Sequence, residues 1–479
     1  MIVSPARHAG VLLHPSSLPG PGPIGELGPY AHAFLEWMSH AGLDTWQVLP
    51  LHPVGPGGSP YSSPSAFAGD PRLISVELLV ADRIVEPMAV PWGLDRVDPR
   101  AIELWKMPVL RRASQAVAAS PECRAFVKNE ASWLGAWARY AARAEQAQST
   151  AWWTWPEADN TALAHEVAVQ EGLQFLFARQ WANLREAARV RGIRIVGDVP
   201  IFVTHDACDV WEQPKLWLWG QDGQPDPVSG VPPDYFSPDG QRWGSPMYDW
   251  GAHAQTKFAW WRARLRRELA LVDAVRLDHF RGFCAAWAIP AAEDDARKGR
   301  WTPGPGKALF AALREELGEL PLWAEDLGEI TPDVEALRSE LGLPGMKILQ
   351  FGFGTNAAHP FLPHNYQGTG WIAYTGTHDN DTAVGWYAQA DEVVKHRFRV
   401  YTGRDGSDPA WGLVREAWAS VAEVAIVPMQ DVMKLGGEAR MNTPGVATGN
   451  WSWRLRELPW QVCTPLRDLS VAFGRSPGE

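Results

Sequence analysis

The stretch Asp273-Ala-Val-Arg-Leu-Asp-His-Phe-Arg-Gly282 begins as a β-strand and ends in charged residues. Val275 and Leu277 alternate with Arg276 and Asp278, so one face of the strand is apolar and the other is charged. An arginine beside an aspartate favours the ionised carboxylate, and an ionised carboxylate at a strand end can act as a nucleophile. Taken alone, this pattern is more typical of a buried structural ion pair. The interpretation as a nucleophile therefore depends on the rest of the sequence.

Short apolar runs alternate with helical patterns along most of the chain. The predicted helices include 30–41, 256–271, 307–317, 332–341 and 410–420. The predicted strands are 10–14, 45–50, 194–203, 273–278, 322–326, 346–351, 370–374 and 424–428. Eight β-then-α units predict an α/β fold, a (β/α)8 TIM barrel with helical and loop insertions, whose chemistry lies at the carboxyl ends of the strands. We find no tract left over for a C-terminal β-sandwich domain.

Two insertions interrupt the predicted barrel. Residues 1–75 and 190–479 are expected to form the barrel, and residues 76–189 an inserted, mainly helical subdomain. Residues 204–256 show no convincing helix or strand and are rich in proline, which is typical of a lid or a binding loop. Their aromatic residues argue against disorder. These are Trp217, Trp219, Tyr235, Phe236, Trp243 and Tyr248.

Composition argues against several classes of function. The 479 residues carry a net charge of -11 without basic blocks, so a nucleic-acid partner is not expected. The four cysteines lie far apart without a C-x-x-C pair, which argues against a disulfide framework and a zinc site and is typical of reduced thiols in a cytoplasm. The N-terminal residues lack the pattern of a signal peptide, and no apolar run is long enough for a membrane span, so we expect neither secretion nor a membrane partner.

Tryptophan is the most unusual feature of the composition, with 27 residues. Flat apolar rings with a polar edge suit amphipathic ligands such as sugars. Six tryptophans with polar neighbours in Pro/Gly-rich segments are therefore expected to be ligand platforms: Trp211, Trp217, Trp219, Trp243, Trp371 and Trp451.

Three acidic residues lie at or after the ends of predicted strands: Asp278, Glu325 and Asp379. Barrel geometry brings such strand ends around one mouth, where one carboxylate can attack a sugar carbon and another can protonate the leaving oxygen. Arg276 makes Asp278 the better nucleophile, and the apolar residues before Glu325 are expected to raise its pKa and suit it to acid/base work. Each carboxylate alone is more typical of a helix cap or a surface charge, and residues 378–381 could instead ligate calcium, although they lack the glycine and distant glutamate of a calcium loop.

Several long motifs occur together in one order. They are Ser59-Pro-Tyr-Ser-Ser-Pro-Ser-Ala-Phe-Ala-Gly69, Gly197-Asp-Val-Pro-Ile-Phe-Val203, Gly240-Gln-Arg-Trp-Gly-Ser-Pro-Met-Tyr248, Arg276-Leu-Asp-His-Phe-Arg-Gly282, Ala324-Glu-Asp-Leu-Gly328, Thr377-His-Asp-Asn-Asp-Thr382 and Asn450-Trp-Ser-Trp-Arg454. On these motifs the chain resembles the amylomaltase, or 4-α-glucanotransferase, family of the α-amylase-like clan. Hydrolases of that clan usually carry Asn-His where this chain has Phe202 and Val203, a departure that weakens a plain amylase interpretation.

The resemblance implies Asp278 as nucleophile, Glu325 as general acid/base and Asp379 as transition-state stabiliser. It also implies contacts to substrate from nine residues: Ser59, Tyr61, Asp198, Trp243, Arg276, His279, Asp326, His378 and Asn450. It implies no metal and no cofactor. The implied partners are α-1,4-glucans and maltooligosaccharides, and the expected state is a monomer or a weak homo-oligomer.

The implied reaction transfers an α-1,4-glucan segment to the 4-hydroxyl of an acceptor glucan or glucose by a retaining double displacement. We expect the segment 204–256, with Trp243, to exclude water and to seat the acceptor. Three alternatives stay open from the sequence: an α-glucan hydrolase with the same machinery, a starch- or glycogen-binding protein without turnover, and a metal-dependent barrel enzyme.

Overall fold

A closed barrel of parallel strands dominates the computed structural model, which describes residues 7–90, 95–233 and 237–476. The strands are β1 (His8–Leu12), β2 (Thr45–Gln47), β3 (Arg194–Pro200), β4 (Val228–Val231), β5 (Gln241–Pro246), β6 (Ala274–Asp278), β7 (Ala285–Ile289), β8 (Arg300–Pro303), β9 (Leu322–Ala324), β10 (Gly345–Ile348), β11 (Trp371–Tyr374) and β12 (Val424–Pro428). Eight of them close in the order β1-β12-β11-β10-β9-β6-β3-β2, with every neighbouring pair parallel. The predicted (β/α)8 barrel is confirmed.

Helices surround this barrel and fill the predicted insertion. They are α1 (Pro29–His40), α2 (Val76–Ala81), α3 (Pro99–Ala101), α4 (Met107–Val117), α5 (Pro121–Asn129), α6 (Leu134–Ala147), α7 (Asn160–Val190), α8 (Cys208–Glu212), α9 (Trp250–Gln255), α10 (Ala259–Leu271), α11 (Gly306–Leu317), α12 (Pro332–Leu341), α13 (Leu349–Gly352), α14 (Ala383–Gln389), α15 (Glu392–Thr402), α16 (Pro409–Ala419), α17 (Met429–Val432) and α18 (Cys463–Ala472). A π-helical segment, Ile102–Lys106, joins α3 to α4. Across the described ranges, we find no helix with the length and apolar character needed to cross a membrane.

Strand register places the charged residues of three neighbouring strands together. Asp198 on β3 lies opposite Arg276 on β6, and Pro200 lies opposite Asp278. On the other side of β6, Leu277 pairs with Ala324, the last residue of β9, so Glu325 follows directly at the same end of the barrel. Because parallel strands point the same way, these carboxylates share the carboxyl-terminal mouth.

The segment 204–256 is more ordered than the sequence predicted. It contains α8, β4, β5 and α9, and β4 and β5 belong to a four-stranded antiparallel sheet in the order β5-β4-β7-β8. The prediction of an irregular loop was wrong because β4 pairs on one side with β5, inside the segment, and on the other side with β7. The strand β7 lies more than fifty residues further along the chain, and the sequence analysis did not recognise it as a strand. Tyr235 and Phe236, expected as part of the lid, lie outside the described residues.

Two predicted boundaries were also wrong. Residues 349–351, expected at the end of a strand, begin the short helix α13, because the strand stops at Ile348 as the chain leaves the barrel. The helix expected over 256–271 begins only at Ala259, since Lys257 and Phe258 adopt positive φ values of 51° and 56° and break it from α9.

The described residues between 76 and 190 carry helices α2 to α7 as their regular elements. Their apolar side chains are continuous with the barrel core: Leu110 of α4 and Leu173 of α7 belong to the same buried cluster as Trp46 of β2 and Ile195 of β3. The helical content is therefore as expected, while the division into a separate subdomain stays a prediction.

Candidate active site

One buried guanidinium organises the mouth of the barrel. Arg276 is 4 % exposed, and its Nη1 donates to both oxygens of Asp198 at 2.8 and 2.7 Å. Its Nη2 donates to Asp278 Oδ1 at 2.8 Å. Arg276 projects from the inner face of β6 together with Asp278, two residues on, as the period of a strand requires. The same cation therefore neutralises one fully buried carboxylate and orients a second, half-buried one.

Glu325 lies beside this pair in a buried position. Its Oε2 accepts a hydrogen bond from the backbone N–H of His279 at 2.7 Å, and its Oε1 accepts one from that of Leu327 at 3.0 Å. Burial raises the pKa of Glu325 to about 8, with the negative charge of Asp278 adding to the rise and Arg276 opposing it. The predicted rise is thus present, and its main cause is burial at the mouth.

Asp379 lies beyond the end of its strand, five residues after Tyr374. Its Oδ1 accepts from Asn442 Nδ2 at 2.6 Å and lies 3.4 Å from His378 Nε2. The charges of Asp278 and Asp379 both act on His378 and on Tyr61, so the two carboxylates flank the same rings. The three predicted acids therefore converge on one place.

Three aromatic rings form one wall of this place. Tyr61 stacks on His378 with the ring centroids 4.9 Å apart, and Trp451 lies 5.7 Å from Tyr61 and 5.9 Å from His378. The Tyr61 hydroxyl donates to Asp198 Oδ2 at 2.7 Å, which ties the wall to the Arg276 cluster. Burial lowers the pKa of His378, so its imidazole is neutral near pH 7. A flat wall beside converging carboxylates suits a sugar ring.

Trp243 lies beside His279, the residue that follows Asp278. It lies on β5, is 41 % exposed, and meets the His279 ring edge-on at 4.8 Å. Phe202, one of the two residues that depart from the amylase pattern, packs against Trp243 at 6.2 Å. His279 is left-handed at φ 52°, and burial lowers its pKa to about 4. The neutral His279 imidazole, directly after the barrel strand β6, and the exposed Trp243 indole, on the edge strand β5 of the four-stranded sheet, thus lie together at the mouth.

The structure does not bring every predicted residue to this cluster. Asp326 Oδ1 accepts from the Met346 N–H at 2.7 Å, and Asp326 Oδ2 lies 3.1 Å from Arg338 Nε. Because Glu325 occupies the site, the next side chain points away from it, and both Asp326 oxygens have structural partners. The prediction that Asp326 contacts substrate finds no support in this geometry.

Two further residues that were predicted to contact substrate bond backbone groups of their own loops. Ser59 Oγ accepts from the backbone N–H of Tyr61 at 3.2 Å, so it orients that ring. Asn450 closes its own loop: its Oδ1 accepts from the Thr443 N–H at 3.0 Å and its Nδ2 donates to the Val446 carbonyl at 2.7 Å. Both residues act next to the site.

The tryptophans expected as platforms divide in the same way. Trp243 and Trp451 border the site, whereas Trp217 is 2 % exposed and packs against Tyr248 at 4.7 Å, so the expectation was wrong for it. Trp371 lies under the Lys347 ammonium at 3.9 Å. Polar neighbours in the sequence did not separate surface rings from core rings.

A small cavity of about 20 Å³ adjoins His378. Its lining includes His14, Thr377, Asp431 and Arg440 as well as His378. Asp431 is 1 % exposed and accepts from Thr375 Oγ1 at 2.6 Å and from the Ala383 N–H at 2.7 Å. The cavity therefore borders the loop that carries Asp379.

The calcium alternative for residues 378–381 is not supported by the side-chain directions. Asp381 accepts from the Thr382 N–H at 2.8 Å and from Gln389 Nε2 at 2.9 Å, so it points away from Asp379. Among the residues that the structure describes, we find no group of three or more His, Cys, Asp or Glu side chains that could hold a metal ion.

Sequence reasoning missed Asn442 and Arg440. Asn442 bonds Asp379 as described above, and the Arg440 Nη2 donates to the Asp379 carbonyl at 2.5 Å. Both residues follow β12 in a segment without apolar periodicity, so only the order of chemistry-bearing residues, Arg-Met-Asn before Pro444, could have drawn attention to them.

Comparison with known proteins assigns the family. The family model described as 4-alpha-glucanotransferase matches residues 13–459, most of the chain. This chain belongs to the 4-α-glucanotransferase family. A 4-alpha-glucanotransferase of Thermus thermophilus is 46% identical over 94% of this chain and 95% of its own length. The chloroplastic/amyloplastic 4-alpha-glucanotransferase of Solanum tuberosum is 44% identical over 98% of this chain and 86% of its own length.

A solved structure supports the same assignment. The amylomaltase of Streptococcus agalactiae, solved in complex with acarbose, superposes with a TM-score of 0.93 at 34% identity and covers 98% of this chain and 100% of its own. The family identifies this protein as an enzyme that transfers α-1,4-glucan segments, and it does not favour the hydrolase alternative.

Proposed function

We propose that Asp278, Glu325 and Asp379 carry the 4-α-glucanotransferase reaction of this family member as a retaining double displacement. The proposal rests on the different surroundings of two neighbouring carboxylates, Asp278 and Glu325. Arg276 donates to Asp278 at 2.8 Å and orients that half-buried carboxylate, whereas Glu325 is buried and its pKa is raised to about 8. A nucleophile and a proton donor require this difference.

In the first displacement Asp278 attacks the anomeric carbon of an α-1,4-linked donor, and Glu325 gives its proton to the departing glucan oxygen. A β-glycosyl ester forms on Asp278, so the negative charge of that carboxylate disappears. Because this charge is one cause of the raised pKa of Glu325, its loss lowers the pKa and converts Glu325 into a base. Glu325 then takes the proton from the 4-hydroxyl of the acceptor, and the α-linkage is formed again.

The remaining residues of the site hold the sugar. Tyr61 and His378 provide a flat stacking surface, and the Asp379 carboxylate is placed to accept hydrogen bonds from ring hydroxyls beside it. Trp243, held over His279 on the edge strand β5, narrows the access of water to the glycosyl ester. Together these contacts favour a glucan acceptor over water.

Incubation with pure maltotriose tests the proposal. Transfer predicts glucose, maltose and longer maltooligosaccharides without a net gain of reducing ends, whereas a hydrolase gives only shorter products with such a gain. Asp278→Asn and Glu325→Gln should both abolish the redistribution, and a binding protein without turnover would leave maltotriose unchanged. Full transfer activity in either variant would overturn the proposed roles.

We further propose that α-1,4-glucans and maltooligosaccharides are the partners, that the enzyme works in a cytoplasm, and that it is a monomer or a weak homo-oligomer. All four cysteines are free, and three of them are buried, which suits a reducing compartment. The net charge of -11 opposes binding to nucleic acids or to anionic membrane surfaces. Sedimentation velocity over a hundredfold range of protein concentration tests the oligomeric state.

A further inference from the structure

Asp379 is the one proposed catalytic residue that the barrel ladder does not hold. Asp278 ends β6 and Glu325 follows β9 directly, but Asp379 lies in the turn between β11 and α14, and its side chain is 45% exposed. An exposed aspartate on a turn samples several rotamers unless a neighbour restrains it. Its orientation therefore needs an explanation outside the barrel strands.

A segment after β12 supplies the restraint. The Asn442 N–H donates to the His378 carbonyl at 3.0 Å, and the Asn442 Nδ2 donates to Asp379 Oδ1 at 2.6 Å. Arg440 donates from Nη2 to the Asp379 carbonyl at 2.5 Å and from Nε to the Asn442 carbonyl at 2.7 Å. Three hydrogen bonds thus join Arg440 and Asn442 to His378 and Asp379, and a fourth joins Arg440 to Asn442 within the segment.

This segment, residues 440–451, is itself closed. The Trp451 N–H donates to the Met441 carbonyl at 2.8 Å, and Asn450 bonds Thr443 and Val446 within the loop. Trp451 then packs against both Tyr61 and His378. The 440–451 segment therefore contacts the sugar-facing wall at one end and Asp379 at the other.

We infer that Asn442 is a positioning residue for the transferase reaction: it fixes Asp379 Oδ1 so that the second oxygen, Oδ2, faces the sugar hydroxyls. Among the described residues, Oδ2 has no hydrogen-bond partner, whereas Oδ1 has Asn442 and lies near His378. The Asn442 amide is neutral and does not exchange a proton, so it can hold Asp379 without taking part in the proton transfer by Glu325. The inference rests on the proposed role of Asp379.

A substitution at Asn442 does not replace the other titratable or charged groups near Asp379. They are the His378 imidazole at 3.4 Å, the Arg440 guanidinium on the Asp379 carbonyl, and the Tyr61 ring, which feels the charge of Asp379. A change in pH dependence after a substitution at 442 therefore reports on the pair 442/379.

The experiment compares kcat and KM for maltotriose disproportionation across pH 4.5–9 in the parent, Asn442→Ala, Asn442→Asp and Asp379→Asn. Asn442→Ala removes the donor and should lower kcat at least about tenfold at every pH, while KM stays within about twofold, because the interaction orients a group used in the transition state. Asn442→Asp keeps the shape and places two carboxylates in contact, which share one proton at low pH and repel when both ionise. Its kcat should approach that of the parent at acid pH. As the pH rises, its kcat should begin to fall at a pH at least about one unit below the pH at which the parent's kcat falls.

Asn160→Asp, which adds the same charge at an exposed position at the start of α7, should keep the parent profile. The inference is overturned if both Asn442 variants match the parent at every pH, if the loss in Asn442→Asp is the same at all pH values, or if the losses follow a shared fall in melting temperature. If Asp379→Asn keeps parent activity, the proposed role of Asp379 fails as well. If Asp379→Asn is inactive while both Asn442 variants behave like the parent, only the inference about Asn442 fails.

Discussion

Replacing Arg276 by Met should destabilise the fold and stop catalysis by separable routes. The substitution leaves the Asp198 carboxylate, whose side chain is 0% exposed, with the Tyr61 hydroxyl and without its cation. Removing one partner of a buried ion pair costs about 3–5 kcal/mol. With an unfolding entropy of about 2.1 cal/mol/K per residue, a chain of 479 residues has a total of about 1 kcal/mol/K, so the melting temperature should fall by about 3–5 °C.

The loss of stability in Arg276→Met should depend on pH, because the Asp198 carboxylate that it leaves behind can take up a proton. Burial raises the pKa of Asp198 and Arg276 opposes the rise, so without the guanidinium the pKa rises further. An acid whose pKa is higher in the folded state binds a proton on folding, and the resulting stability is lost as the pH rises toward that folded pKa. Arg276→Met should therefore be less destabilised at pH 5.5 than at pH 8, by up to about 1.4 kcal/mol per pH unit.

A second substitution separates stability from activity. Adding Asp198→Asn removes the buried charge, so the double variant should recover most of the lost melting temperature at pH 8. It should stay at least about a hundredfold below the parent in kcat/KM, because Asp278 still lacks the Nη2 donor at 2.8 Å. Calorimetric scans at both pH values and maltotriose kinetics give the two readouts. A pH-independent loss, or a double variant no more stable at pH 8 than Arg276→Met, would refute the reasoning.

Three further outcomes follow from the structure. The pH profile of kcat/KM should fall above about pH 8, roughly tenfold per unit, because Glu325 must be protonated in the free enzyme and its pKa is raised to about 8; a flat profile up to pH 9.5 would contradict this. Trp243→Ala should raise glucose release relative to transfer, measured as the ratio of reducing-end gain to longer products, and an unchanged ratio would remove Trp243 from water exclusion. Gly345→Ala should lower the melting temperature, since the added Cβ would lie 2.4 Å from Asp326 Oδ2 and displace that carboxylate; parent-like stability would count against a structural role for Asp326.

The sequence predicted what depends on local periodicity and on strand ends. Alternation in residues 274–278 and the apolar run before Glu325 located two carboxylates correctly, because parallel strands place their carboxyl ends at one mouth. The order of several long motifs added the family, which the comparisons then showed.

The remainder depends on contacts between distant segments. The segment predicted as an irregular loop contains β4 and β5, which pair with each other, and β4 also pairs with β7, which lies outside residues 204–256. Asp326 was placed at the site by the family resemblance, yet its side chain points away from that of the adjacent Glu325, and its oxygens bond Met346 and Arg338. Asn442 and Asp379 are 63 positions apart in the sequence, so their contact is seen only in the folded structure.

Capture of the glycosyl ester tests the account most directly. An α-maltosyl fluoride donor, whose fluoride leaves without a general acid, should react with the Glu325→Gln variant, which then lacks the base for the second step. After acid quench and proteolysis, mass spectrometry should find two hexose units on the peptide that contains Asp278, and the Asp278→Asn/Glu325→Gln double variant should carry none. An adduct on another carboxylate, or turnover of the fluoride without any adduct on Asp278, would contradict the account.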